Sequence, residues 1–469
     1  MKNHILIIIT ILAATVNVGC KKQLDALPKD ALVEGNVITS QQTANTALNG
    51  VYYLFANASN VTTNWLPNQV NAGILTGFMD DGTNTINEAS NVLGKTSMND
   101  DWGRYYSLIN AANGVIDPVS SLSGSLFSNG RKEQILAEAK FMRAFGHFKI
   151  LSFMGQWFDI NSPYGVILKD KFVTSTNYAQ RRASVKDSYD FILNDIDYAI
   201  ANATAASSNV YVNKWTAMAL KMRILLNRGQ GDDYAQCAIL GNSIMASSPY
   251  TLEANLKDIF YTKGLSSEEV MLGIQPQANQ GAYYYNTSGN YVKRNRYYVV
   301  TEALNTLLAG DPRKSWIIGK TGARKKGYYF IKYVQSSLTT TQLSEVAYAF
   351  RLSEVYLMTA EATVRSSKVL DGARTLLKTV MGKAGVTDFT AVDAATTPDA
   401  LLRQIYLEYV RNFIGEEDVY YFALLRFPLT TVTALRPTIK TTDQYIFPIP
   451  HPEFLNNPLI GDQNPGYAQ

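Results

Sequence analysis

The sequence predicts a mainly α fold, in which a scaffold of paired helices is interrupted by two long loop-and-strand insertions. Three observations carry that expectation. Apolar residues recur at helical spacing in several separate segments. Two long stretches, Asn57 to Ser97 and Ser248 to Tyr348, lack that spacing and are filled with Gly, Asn, Thr and Tyr. No Pro/Ser linker or low-complexity tract divides the 469 residues, although that length allows two or three domains. One domain over 31–469 is therefore expected, with an N-terminal part of about 31–230 and a C-terminal part of about 231–469.

The first twenty residues set an address. Lys2 gives a positive start, and Ile5–Val18 is a run of fourteen residues in which only Thr10, Thr15 and Asn17 are polar. Gly19 and Cys20 follow, as at the cleavage site of a secretory signal. A membrane span needs about 20 apolar residues, so this run is too short for one. Cleavage before Cys20 would free a thiol to carry lipid, and two or more acyl chains anchor stably where one does not. Residues 1–19 are thus expected as a lipoprotein signal and 20–30 as a lipidated tether, even with Asn17 where an aliphatic residue is usual. An acylated Cys20 leaves Cys237 without a disulfide partner, and its place in the helical pattern Tyr234–Ala246 marks it as buried packing.

Beyond the tether, helices follow one another. Phe141, Ala144, Phe145, Phe148 and Leu151 form one apolar face, with a partner helix upstream from Trp102 to about Val115. Trp215, Met218, Ala219, Met222 and Leu225 repeat the spacing, and Gly229 stands where a left-handed closing residue is wanted. Leu352, Val355, Tyr356, Ala360 and Thr363 give it again, followed by helices over Ala373–Lys383 and Ala400 to about Ile414. Short connections make such helices neighbours, as in tetratricopeptide-like pairs, although the irregular spacing argues against a pure solenoid. Tyr328–Val334 reads as a strand within the second insertion.

Several chemistries lack support. The net charge of +4 is small and scattered apart from Lys293–Arg294–Arg296 and Arg324–Lys325–Lys326, so no nucleic-acid partner is expected. No H-E-x-x-H, paired C-x-x-C or G-x-S-x-G occurs, and no metal or cofactor is expected. Gly94–Lys95–Thr96 and Gly319–Lys320–Thr321 mimic the end of a P-loop, but Ala89 and Lys314 replace the glycine it needs. His147 lies in an apolar helix and reads as packed. A glycosidase needs two carboxylates, which leaves Asp80–Asp81 and Asp100–Asp101 as the only basis for a hydrolase reading. The positive signal is aromatic. Tyr283–Tyr284–Tyr285, Tyr291, Tyr297–Tyr298 and Trp316 stand in the second insertion, and Trp65 lies in the first near Asn64, Asn68 and Asn71. Rings that stack on sugar faces, with amides and carboxylates for the hydroxyls, would bind a glycan. Ligand contacts are accordingly expected at Trp65, Asn68, Asp80, Asp81, Tyr283, Tyr284, Tyr285 and Trp316.

Five segments together resemble the SusD/RagB family of nutrient-binding lipoproteins. They are Leu24–Asp25 with Pro28–Asp30, Ala47–Tyr52, Ala137–Phe145, Phe350–Met358 with Ala360–Glu361–Ala362, and the tail Phe447–Pro450, Glu453, Asn457–Pro458 and Gln463–Tyr467. One segment departs from the family pattern, since Glu408 precedes Tyr409 and Glu416 precedes Glu417, leaving Leu425–Arg426 as its clear remnant. Arg351, Glu354 and Glu361 read as ion pairs between scaffold helices, of the exposed kind worth about 0–1 kcal/mol each. The resemblance implies a SusD-like, tetratricopeptide-like scaffold at the outer membrane that acts as a lid on a SusC-like TonB-dependent transporter. It implies capture of an oligosaccharide, or of a peptide as in RagB-like lids, without catalysis.

Overall fold

The structure, a computed structural model, describes residues 38–58, 65–80, 97–206, 208–274, 299–320, 327–332 and 346–468. Its longer helices are α1 (Gln41–Phe55), α2 (Leu66–Leu75), α3 (Ser97–Ser121), α4 (Arg131–Met154), α5 (Val185–Asn202) and α6 (Lys214–Arg228). They continue with α7 (Asp233–Ser247), α8 (Leu352–Ser367), α9 (Leu370–Lys383), α10 (Pro398–Phe413) and the short α11 (Val419–Leu425). From α3 to α9 each helix packs on the next, and α8 also packs on α10. The mainly α, tetratricopeptide-like class read from the sequence is the fold observed.

Local chemistry sets the helix ends. Ser40 and Thr43 form a reciprocal capping box that starts α1. Asn213 accepts from the amides of Trp215 and Thr216 to start α6, which closes at Gly229 with φ 57°. α4 lies at the centre, with every residue from Ile135 to Met154 buried except Lys140. A helix buried on nearly all sides must be surrounded, and α1, α3 and α5 do so. Gly241 allows α7 to meet α8 closely, since a Cβ there would stand 1.8 Å from the Thr359 hydroxyl. The C-terminal tail is tied down by asparagines. Asn464 Nδ2 donates to the Met154 and Phe447 carbonyls at 2.9 and 2.7 Å, and Asn457 pairs with both backbone groups of Gln180.

Three expectations change. The first insertion contains α2, whose start is pre-set by Pro67 in its first turn and which buries Val70, Ala72 and Leu75. Its Asn, Gln and Gly residues disguise that buried face. Helix α5 lies outside the helices read from the sequence, though its buried Val185, Tyr189, Ile192, Ile196 and Ala199 have helical spacing. Finally, Arg351, Glu354 and Glu361 do pair between elements, but all three are buried. Glu354 holds Arg223 of α6 through two bonds of 2.5 and 2.7 Å, and Glu361 holds Arg426 through two of 2.8 and 2.6 Å. The small energies of exposed pairs therefore do not apply to them.

Candidate functional site

The two insertions meet in one antiparallel sheet. Its strands are β1 (Met79–Asp80) from the first insertion, with β3 (Val299–Val300), β5 (Tyr328–Phe330) and β4 (Ile318–Lys320) from the second, in that spatial order. Asp80 pairs with Val299 and Met79 with Val300. Thr301 extends the joint, its amide donating to the Phe78 carbonyl and its hydroxyl to the Gly77 carbonyl at 2.8 Å. Because β1 and β3 are antiparallel, the end of β1 lies beside the beginning of β3. Asp80 and Val299 are thus adjacent backbone positions. A second sheet pairs β2 (Val270–Ile274) with β6 (Ala347–Arg351), and β6 runs directly into α8.

Four of the expected ligand residues can be placed. Asp80 is exposed at the sheet end. Trp65 and Asn68 share the first turn of α2, and both are buried. The Trp65 ring lies edge-on to Phe55 at 5.2 Å. Asn68 Oδ1 accepts from Arg104 Nη2 at 3.0 Å and from the Tyr105 hydroxyl at 3.2 Å, while Arg104 also holds Asp101 at 2.7 Å. Trp316 is buried and stacked on Phe260 at 5.8 Å, just ahead of β4 on the edge of the sheet opposite β1. Cys20, Asp81, Tyr283, Tyr284 and Tyr285 lie outside the described residues.

This corrects the reading of Trp65 and Trp316 as stacking platforms. Large apolar rings gain most from complete burial, and both have found protein partners. Composition around a Trp cannot reveal this, because the Phe that covers it comes from another element. Arg104 and Tyr105 went unread as polar partners of Asn68, since Trp102, Tyr105 and Leu108 look like an ordinary apolar face. Asp100 is exposed and Asp101 buried, so these neighbouring carboxylates do not share one opening.

Other candidate chemistry proves structural. His147 is fully buried, with Nδ1 against the Arg143 carbonyl at 3.0 Å and Nε2 accepting from the Lys169 amide at 3.2 Å. Burial and the nearby Arg143 pull its pKa down to about 4, so the ring is neutral at pH 7. Cys237 is buried and its thiol is pushed up by desolvation, as expected of packing. Among the described residues no cluster of His, Cys, Asp and Glu could hold a metal ion. A cavity bounded by Arg223, Asn227, Tyr409 and Arg426 is lined on both sides by paired charges. It has room for about one water and none for a sugar ring.

Both parts of the chain match family models. Residues 22–226 match a family described as starch-binding, associating with the outer membrane, and residues 278–439 match the SusD family. A SusD-like protein of Bacteroides ovatus is 25% identical over 182 residues, covering 37% of this chain and 32% of the relative. SusD-like protein P38 of Formosa agariphila is 27% identical over 158 residues, covering 33% and 28% respectively. The chain thus spans about a third of the length of the curated relatives it matches. Among solved structures, a SusD superfamily protein from Parabacteroides distasonis superposes with a TM-score of 0.74 at 20% identity, over 92% of this chain and 100% of that one. A laminarin-binding SusD-like protein superposes with a TM-score of 0.71 at 19% identity, over 92% and 100%. With family models matching both of its parts, the chain belongs to the SusD-like family.

Proposed function

We propose that this protein is a cell-surface lipoprotein that captures a glycan and delivers it to a SusC-like TonB-dependent transporter. Lipid on Cys20 holds it at the outer membrane, and it carries out no catalysis of its own. One observation supports this reading above the rest. The two insertions that carry the Asp80–Asp81 and Tyr283–Tyr285 sequences are joined through β1 and β3 into one sheet on a rigid helical scaffold. Function commonly resides in loops so mounted. A structural neighbour whose name records laminarin binding makes glycan the first class to test. Capture and delivery then share one equilibrium between free and seated lid.

The test is a panel of glycans and peptides offered to the purified protein, beside Asp80→Ala and Tyr284→Ala variants. Micromolar binding of a glycan, weakened at least tenfold by either change, is the expected outcome. Turnover of the glycan would replace this reading with a hydrolase, and selective peptide binding would make the protein a RagB-like peptide lid. Cys20→Ala should release the protein from membranes in cells lacking the transporter. Retention there would sink the anchor.

A further inference from the structure

The sheet that joins the two insertions is fastened to the helical scaffold at its β5 end by Phe330 and Lys332, while Ile331 between them ties β5 back into the second insertion. Phe330 places its ring against Gly415, where φ is 75° and an added Cβ would stand 2.1 Å from Phe330 Cζ. Gly415 is therefore required twice, by its left-handed backbone and by this close approach. Ile331 presents its carbonyl to the Tyr261 hydroxyl at 3.0 Å, and its amide donates to the Ile317 carbonyl at 2.9 Å. Lys332 is the centre of the joint.

Lys332 has no exposed surface, and its ammonium donates to the Asn412 carbonyl at 2.8 Å, the Ile414 carbonyl at 3.0 Å and Glu416 Oε1 at 2.6 Å. These three acceptors use the full donor capacity of an ammonium. Two of them belong to the end of α10, where the last carbonyls of a helix lack partners and a cation meets the negative end of the dipole. The third, Glu416, also holds Arg351 at the β6–α8 junction through bonds of 2.6 and 2.9 Å. Arg351 in turn reaches Glu269, beside β2, at 2.5 Å. A residue two positions beyond β5 thus caps a scaffold helix and joins the charge network that fixes the second sheet. Burial draws the ammonium down to about 8 against the opposing pull of Glu416, and it still carries charge at pH 7.

We infer that Lys332 is a positioning residue for ligand binding, a latch that seats the insertion sheet on the end of α10. This rests on the proposed function only for its consequence, since the latch itself is a matter of geometry. Burying an ammonium costs several kcal/mol unless its partners are well placed. A buried methionine or leucine would serve packing alone at lower cost. What the ammonium adds is direction, because it fixes the sheet to one helix end in one register.

The test uses the full chain with Lys332→Met, which keeps the volume and removes the charge, and Lys332→Arg, which restores charge. Hydrogen exchange is followed at the amides of Val300, Tyr328 and Phe330 and, for comparison, within α6 and α7. The expected result for K332M is sheet exchange at least tenfold faster, helix exchange unchanged, and affinity for the wild-type ligand at least tenfold weaker, with partial recovery of both in K332R. Unchanged sheet exchange, or an equal rise in sheet and helices, overturns the latch. Faster sheet exchange with full affinity overturns the positioning role. Should K332M not fold, Lys332→Gln, which keeps a donor and removes the charge, is measured in its place, and the same outcomes decide. Should the wild-type protein bind nothing in the panel, the proposed function fails while the exchange measurements still decide the latch.

Discussion

Around Glu361 two guanidiniums meet one carboxylate, whereas at Glu417 the close ammonium is shared with Asp418 and the more distant guanidinium, Arg223, is held chiefly by Glu354. Both groups are buried, and both stand in the C-terminal half. Glu361 accepts from Arg365 Nε at 2.9 Å and from Arg426 Nε and Nη2 at 2.8 and 2.6 Å. Burial works to raise its pKa, but Arg426 and then Arg365 outweigh it and hold the group at about 2. Glu417 receives Lys149 at 2.6 Å and Arg223 at 3.4 Å on Oε2, while its buried Oε1 has no hydrogen-bond partner among the described residues. Lys149 also serves Asp418 at 2.6 Å. Burial, reinforced by Asp418, therefore pushes Glu417 up in spite of Lys149 and Arg223. Burial alone does not decide how a carboxylate titrates. The ratio of cations to anions around it does.

The strongest way to break this comparison is to remove Arg426. Arg426→Met leaves Glu361 buried with only Arg365, and the loss should be about 3–5 kcal/mol in denaturant unfolding. A loss below about 1 kcal/mol would show that Glu361 is not held as described. The next effect is acid sensitivity. The Glu361 pKa is depressed in the fold, so its contribution is complete above its ordinary 4.5 and fades as pH falls toward about 2. That depression corresponds to about 3 kcal/mol, and the pH dependence of unfolding between those limits should flatten by that amount in Glu361→Gln.

Glu417 should behave in the opposite sense. Its folded pKa is raised, so the fold favours the protonated group, and stability from this residue declines as pH rises above 4.5. Glu417→Gln should be neutral or stabilising at pH 8, by on the order of 1 kcal/mol. A destabilisation comparable to that of Arg426→Met would erase the distinction between the two seams. The smallest effect is expected at Lys186–Asp190, an exposed pair one helical turn apart. Lys186→Ala should leave the melting temperature within error, which gives the baseline for the buried pairs.

The sequence places these groups better than it weighs them. Glu354 and Glu361 are seven residues apart and share a helix face, which is legible from spacing alone. Their burial is not, because Arg223 and Arg426 lie 131 and 65 residues away along the chain. The departure from the family pattern at Glu416–Glu417 becomes intelligible in the same way, since Lys332, Arg351, Lys149 and Arg223 converge on that acidic run from four separate segments. In the candidate site, Asn68 was identifiable as a polar residue beside Trp65, but its partners Arg104 and Tyr105 were hidden within a helical apolar pattern. Trp65 and Trp316 show the converse error, because an aromatic among polar neighbours in sequence can still be covered by Phe55 or Phe260 in space.

By itself the sequence determined the helical class, the positions of α6, α8, α9 and α10 to within a few residues, and the family. These follow from local periodicity, capping residues and short motifs, which act over one to a few helical turns. Only the tertiary structure decided that the two insertions form one sheet, which aromatics are covered, and how each buried charge is balanced. Those outcomes depend on pairs of residues far apart in the chain. Strand pairing, burial and electrostatic balance are properties of neighbours in space, and spacing along the chain carries no record of them.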